Sequence, residues 1–224
     1  MDTTTRGDMM VIMLPFVLSC LSFGILFTVI EVISRKVRRL TTDDTRKAAH
    51  ILAGIIAACL PFWLSYPEIT ALGLFFIGFM AVSKKTHLFP SIHGVERLTL
   101  GEVYYPLALA IVAWQFPVQL IYTYAILVLA LADGFAALVG IHRGTRHFRM
   151  LGGRKSVEGS LTCWVVCLCL TSASLTITQS SLLVVSTGSV AVAAALTLIE
   201  ANLSGGLDNL ALPVVAAFAL SVLS

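Results

Sequence analysis

The feature that most limits what this chain can become is a succession of apolar runs. They occupy residues 9–33, 48–64, 69–82, 103–114, 118–141, 160–178, 182–199 and 209–223. A helix needs about 20 apolar residues to cross the hydrocarbon core, with a range near 17–25. The runs are too frequent for the core of one soluble domain. Of the 224 residues, 58% are apolar and 12% charged, where a soluble domain carries about 25% charged residues. The expected fold class is therefore all-α: a polytopic transmembrane bundle of about eight spans. The third and fourth runs are short, so a broken or re-entrant helix there would reduce the count to seven.

Charge gives the orientation. Of 15 Lys and Arg residues, 14 fall within 35–47, 84–97 and 143–155. The alternate connections around Pro67, Pro117 and Gln179 carry none. Basic residues favour the cytoplasmic side, so three connections are expected there and the N-terminus outside. On that count the 200–208 connection, with Glu200 and Asp208, is cytoplasmic too. No internal repeat or linker divides residues 1–224, which read as a single domain. Arg6 lies between Asp2 and Asp8, unlike a cleavable signal or an Arg-rich transit peptide. A prokaryotic plasma membrane is the expected location. The five cysteines lie in apolar runs without clustered histidines and read as packing residues.

Several polar groups then collect on one side of the membrane. Arg46, Lys47 and His50 share a helical side at the start of the second run, a suitable place for an anion. Arg35, Lys36, Arg38 and Arg39 read instead as topology signals with snorkelling stems. Glu102 opens the fourth run, where its charge suits a helix N-terminus or a metal. Asp133 lies deep in the fifth run, where an unsatisfied acid costs roughly 2.5–3.5 kcal/mol. Ala130, Ala136, Ala137 and Gly140 surround it and permit close helix approach. Gly152 to Ser160 supplies glycines, Arg154, Lys155 and Ser156, a composition suited to phosphate. It is not a P-loop, because Arg154 rather than Gly precedes Lys155 and a membrane helix leads in. Glu200, Asp208 and Asn209 flank a Ser-Gly-Gly turn, and such acids suit Mg²⁺.

In combination, Arg46-Lys47-x-x-His50, Gly101-Glu102-x-x-x-Pro106, Asp133-Gly134-x-Ala136-x-x-x-Gly140, Lys155-Ser156-x-Glu158-Gly159-Ser160, and Glu200 with Asp208-Asn209-x-x-x-Pro213 resemble the polyprenol kinase family. That family includes phytol, farnesol and dolichol kinases. The Asp133–Ser160 portion is also similar to phosphatidate cytidylyltransferases, but the Lys-Asp and His-Gly-Gly signature that follows there is missing. CDP-alcohol phosphotransferases fit worse, because Leu138 stands where their motif needs Arg.

The resemblance implies a CTP-dependent, Mg²⁺-assisted kinase. It would phosphorylate a membrane isoprenoid alcohol such as phytol, geranylgeraniol, farnesol or a longer polyprenol, at the cytoplasmic face. Asp133, Lys155 and His50 are then the catalytic candidates. Arg46, Lys47, Gly153, Arg154, Lys155, Ser156, Gly159 and Asn209 would hold nucleotide and phosphates. Asp133, Glu102, Glu158, Glu200 and Asp208 would hold metal. CTP, the alcohol and membrane lipid are the expected partners, and nucleic acid is not. The alternatives are a cytidylyltransferase acting on a lipid phosphate and a proton-coupled transporter, for which a buried Asp is also suited. The transporter leaves the Gly-Arg-Lys-Ser stretch unexplained.

Overall fold

A computed structural model describes residues 3–37, 41–93, 100–151 and 153–224, with side chains from Met13 onward. Arg38, Arg39, Arg97 and Gly152 lie outside the described residues. Each of the eight apolar runs is helical. Helix α1 (Thr3–Lys36) ends on its basic pair Arg35 and Lys36, favourable charges for a helix C-terminus. Helix α2 (Thr42–Cys59) starts at a capping box, in which the Asp44 carboxylate accepts the Thr41 amide at 3.0 Å. It gives way to a 3₁₀ turn at Leu60–Phe62, where Pro61 lacks the amide a longer helix requires.

Helix α3 (Tyr66–Thr86) has Pro67 in its first turn, and Glu68 accepts the Ser65 amide at 2.7 Å. It runs unbroken for 21 residues, so the shortness of its apolar run reflects charged ends and not a re-entrant break. A short helix, α4 (Pro90–His93), follows. Helix α5 (Gly101–Gln115) stops before Pro117, which disfavours helical geometry in the residue before it.

Helices α6 (Gln119–Leu127) and α7 (Gly134–Arg143) are joined by a π-helical turn, Val128–Asp133, that ends on the buried acid. Together they make a 25-residue apolar helix, and 56% of its span is buried against 28–33% for the other long helices. This helix is the centre of the bundle. Among its residues Tyr122, Tyr124, Ile126 and Leu129 are fully buried. Hydroxyls tie it to its neighbours: Tyr122 donates to the Ala57 carbonyl at 3.2 Å, and Thr123 to Ala58 at 3.0 Å.

The stretch after α7 is not the loop that its glycines suggest. Strands β1 (His147–Met150) and β2 (Gly153–Ser156) form an antiparallel hairpin, with Phe148 opposite Lys155 and Arg149 opposite Arg154. Gly153 accommodates the turn with φ of 109°, open to glycine without strain. The architecture is therefore helical with one small hairpin. Helix α8 (Val157–Ile177) starts where the Ser156 hydroxyl accepts the Gly159 amide at 3.1 Å. A second π turn, Val184–Gly188, leads into α9 (Ser189–Asn202). Helix α10 (Leu207–Leu223) closes the chain after Gly205 and Gly206, both with positive φ.

Helix α3 packs along α5, α8 along α7 and α9, and α10 along α5, α6 and α9. Among the described residues, five helical stretches are long and apolar enough to cross a membrane: 13–36, 66–86, 119–143, 157–177 and 184–202. Helix α10 is apolar but shorter at 17 residues. Helices α2 and α5 have 18 and 15 residues, and α2 carries four charged side chains in its first turns.

Candidate active site

The basic ends and acidic turns meet around one cavity of about 760 Å³. Helix α2 contributes Arg46, Lys47 and His50, and α5 contributes Glu102 and Tyr105. Asp133 and Gly140 come from the central helix, and Arg154, Lys155 and Ser156 from the hairpin. Gly159 and Ser160 enter from α8, and Glu200, Asp208 and Asn209 from the last connection. The opposite part of the wall is apolar, with Phe23 and Phe27 on α1, Leu72, Phe76 and Met80 on α3, Ile92, and Leu109.

Asp133 is 2% exposed and sits at the junction of the two parts. Its Oδ2 lies 2.6 Å from Lys47 Nζ and 3.2 Å from His50 Nε2. His50 Nε2 is also 2.9 Å from the Leu129 carbonyl. A carbonyl only accepts, so Nε2 carries the proton. A π turn has hydrogen bonds of wider spacing than the α-helix, and the imidazole meets the central helix within it. Tyr105 fixes the same region, donating to the His50 carbonyl at 3.2 Å. With Nε2 committed to Leu129 and Asp133, His50 holds the acid in place.

The other acids are mostly matched. Glu102 is paired with Lys84 at 2.5 Å and Arg46 at 3.7 Å, and His93 Nδ1 lies 3.8 Å away. Lys155 Nζ is ion-paired with Glu200 Oε1. Asp208 makes no ion pair among the described residues. Burial and the nearby Asp133 charge push its carboxyl up to about 6. Two buried side-chain oxygens on the wall, Glu200 Oε2 and Ser160 Oγ, have no hydrogen-bond partner. Unsatisfied buried oxygens are costly, and these two leave the site short of a polar ligand.

Two candidates from the sequence fall elsewhere. Glu158 is half-buried and lies off the cavity wall: its carboxylate accepts from the Thr145 hydroxyl and the Arg146 amide. One residue along α8, Gly159 faces the wall, and the intervening rotation of about 100° turns Glu158 outward. Glu158 holds the start of the hairpin and is not placed to bind a metal in the cavity. Gly153 is likewise off the wall and serves the hairpin turn. Asn209 reaches the site, but its Nδ2 donates to the Gly101 carbonyl at 3.1 Å, which ties α10 to α5.

The glycines at the hairpin base have a steric reason. A Cβ on Gly159 would stand 2.7 Å from the Ala136 carbonyl and 2.9 Å from Ser156 Oγ. One on Gly140 would stand 3.0 Å from the same hydroxyl. Their absence lets α7 and α8 bring Ser156 to the cavity beside Asp133.

Among the described residues, no group of three His, Cys, Asp or Glu side chains is arranged to hold a metal alone. Mg²⁺ needs no such group: it is usually held by one or two carboxylates together with substrate phosphates. Asp208, which feels Lys47 and Lys155 but makes no ion pair among the described residues, and the Glu200 oxygen without a hydrogen-bond partner there provide hard donors of that kind. The residues present fit such an ion.

Sequence reasoning missed Lys84, His93, Tyr105 and His147, of which Tyr105 and His147 line the cavity. Tyr105 had a signal, since it lies three residues from Glu102 on the same helical face. His147 had none, because the strand that carries it was not anticipated.

No family model and no solved structure matches the chain. It is 33% identical over 178 residues to a phytol kinase from the cyanobacterium Synechocystis sp.. The aligned part covers 76% of this chain and 75% of that protein.

Proposed function

The chain belongs to the phytol/polyprenol kinase-like family, and from that premise we propose that it moves the γ-phosphoryl group of CTP to the hydroxyl of a membrane isoprenoid alcohol. The observation that supports this most is the two-part wall of the cavity around Asp133. Cations and acids line one part and aromatic and aliphatic side chains the other, with Asp133 where they meet. That suits a reaction between a polyanion and the polar end of a lipid. The preference of basic connections for the cytoplasmic side supports a charged part that opens to that face, where a nucleotide would be dissolved.

In the proposed reaction the alcohol oxygen attacks the γ-phosphorus. The bond from that phosphorus to the β–γ bridging oxygen breaks, and CDP leaves with the electron pair. The hydroxyl proton passes to Asp133 and from there to solvent. The products are the alcohol monophosphate and CDP. Phosphoryl transfer depends on positioning and charge neutralisation more than on covalent help. Lys47, Lys155, Arg46 and Arg154 supply the positive charge. When the triphosphate draws Lys47 toward itself, Asp133 is released to receive the proton. Ser156 and Ser160 donate to phosphate oxygens. Asp208 and the free oxygen of Glu200 would hold Mg²⁺, which when bound neutralises charge on the phosphates.

Purified protein in detergent, given γ-labelled or α-labelled CTP, Mg²⁺ and either a panel of prenols or phosphatidate, tests this. Label is expected in the prenol from the γ position only, and chelation of divalent cations with EDTA is expected to stop it. Transfer from the α position to a lipid phosphate would establish a cytidylyltransferase instead. Equal turnover with ATP in place of CTP would overturn the choice of nucleotide.

A further inference from the structure

A cavity of about 760 Å³ lies within the ~300–1,000 Å³ range of clefts that hold one small-molecule ligand. With a nucleoside triphosphate in the charged part, a long prenyl chain needs a path from the cavity to the bilayer. The apolar wall indicates where. Phe23, Phe27 and Phe76 pack edge-on or tilted, with ring centroids 5.1 Å apart for Phe23–Phe76 and 6.5 Å for Phe27–Phe76.

Phe76 has a second surface. It also lines a separate apolar groove of about 450 Å³ between α1 and α3, bounded by Leu21, Gly24, Ile25, Phe75 and Phe79 among others. Leu21, Ile25 and Phe75 are at least half exposed, as expected for side chains that meet lipid. Gly24 leaves the groove open, since a Cβ there would find nothing within 4 Å. The cavity and the groove thus share Phe76, within a cluster of rings in which Phe27 of the cavity wall also packs on Phe89 of the groove at 5.9 Å.

We propose that the Phe76 ring is a movable partition, and that the isoprenoid tail of the alcohol passes it to run along the groove between α1 and α3 into the bilayer. The occupant is an acyclic apolar chain whose hydroxyl stays at Asp133. Continuity with the charged cavity, through the shared Phe76, sets this groove apart from an ordinary lipid-facing furrow. Phe76 is buried against Phe23, Phe27, Phe75 and Phe79, so its rotation is slower than the picosecond-to-nanosecond flips of exposed side chains, and an aromatic ring gives way to a flexible apolar chain without stranding a polar group. The assignment rests on the prenol kinase reading above. At Ala130 the small residues of the central helix bring helices together instead: Ala130 is fully buried and packs against Gly54 of α2, which leaves no space for a tail there.

The test fills the groove at Gly24. Gly24→Leu replaces a helical glycine by a good helix former in open space, so the fold is retained. Gly78→Leu is the control: a Cβ at Gly78 also meets nothing within 4 Å, and Gly78 lines neither the cavity nor the groove. Both variants and the wild type are assayed with prenols of two, three, four and more isoprene units. For Gly24→Leu, kcat/KM for the longest alcohols relative to the shortest is expected to fall about tenfold, the scale of discrimination that a methylene-sized obstruction gives. Gly78→Leu keeps the wild-type ratio, and the KM for nucleotide is the same in all three. Phe76→Ala is expected to raise the relative rate of the longest alcohols. An unchanged length profile in Gly24→Leu and Phe76→Ala, with an active wild type, overturns the tail path and leaves the kinase reading intact. A wild type that phosphorylates no prenol of any length overturns the kinase reading itself.

Discussion

Replacing Asp133 by Asn removes one charge from the centre of the site and leaves Lys47 behind. The two atoms are 2.6 Å apart, with 3% of the Asp133 side chain and 18% of the Lys47 side chain exposed. Removing one partner of a fully buried pair costs about 3–5 kcal/mol. Lys47 retains some access to water, which lowers the expected loss to about 2–3 kcal/mol. For a chain of this size that corresponds to a fall in Tm of about 4–12 °C. The same change removes the group proposed to accept the proton, so turnover should drop at least about 100-fold. A double variant separates the two effects. Lys47→Met with Asp133→Asn takes away the stranded ammonium, so much of the lost Tm should return while turnover stays low. Thermal unfolding in detergent and γ-labelled CTP turnover read the two outcomes. Full turnover in Asp133→Asn, or recovery of turnover in the double variant, would refute the role given to this carboxylate.

Other expectations concern the edges of the site. Glu158→Gln should change turnover by less than about threefold, as for a surface substitution, because Glu158 contacts Thr145 and the Arg146 amide outside the cavity; a loss above about 100-fold in steady-state assays would restore it as a metal ligand. Gly159→Ala places a methyl group against the Ala136 carbonyl and should destabilise by about 1–3 kcal/mol, measured by thermal unfolding. Asp44 is held below the usual carboxylate range: burial pushes it up, but hydrogen bonds from Thr41 and the His142 contact at 2.7 Å outweigh that. A depressed folded value gives stability that is present above the unfolded value of about 3.9 and lost as pH falls below it. The Tm advantage of wild type over Asp44→Asn should therefore be present at pH 7 and shrink below about pH 4, as followed by unfolding across that range.

Hydropathy was enough to mark the eight apolar runs as helical, because each presents a long apolar surface and most of the connections are charged or contain proline, though only five stretches among the described residues are long and apolar enough to span. It also brought Asp133 forward, since a lone acid in such a run demands a partner. The partners themselves were half legible. Lys47 and His50 were visible as a spaced pair, but their contact with Asp133 depends on how α2 meets the π turn, and no hydropathy pattern reports that turn. Lys155 was read as part of a loop because Gly152-Gly153 dominates the local sequence. Strand β1 does alternate, with Phe148 and Met150 between His147 and Arg149, but for four residues only, and β2 (Gly-Arg-Lys-Ser) has no apolar residue to match it, so the period-2 signal is too short to read. Glu158 was grouped with the site by proximity in sequence, where helical rotation decided otherwise.

The π turn before Gly134 also divides the central helix into two independently set phases. An α-helix advances about 100° per residue, so a turn with one surplus residue rotates everything after it relative to what came before. The faces of Tyr122, Tyr124 and Ile126, buried in the bundle, are set by the first half, and the bearings of Ala136 and Gly140 by the second. Deleting a single residue within 128–133 would preserve the composition of the helix and much of its length, yet turn its catalytic half away from α2 and the hairpin. Conversely, the packing half can be repacked, residue for residue, without altering where the acid points. A helix built this way lets the bundle and the reaction centre change separately, joined by one wide turn.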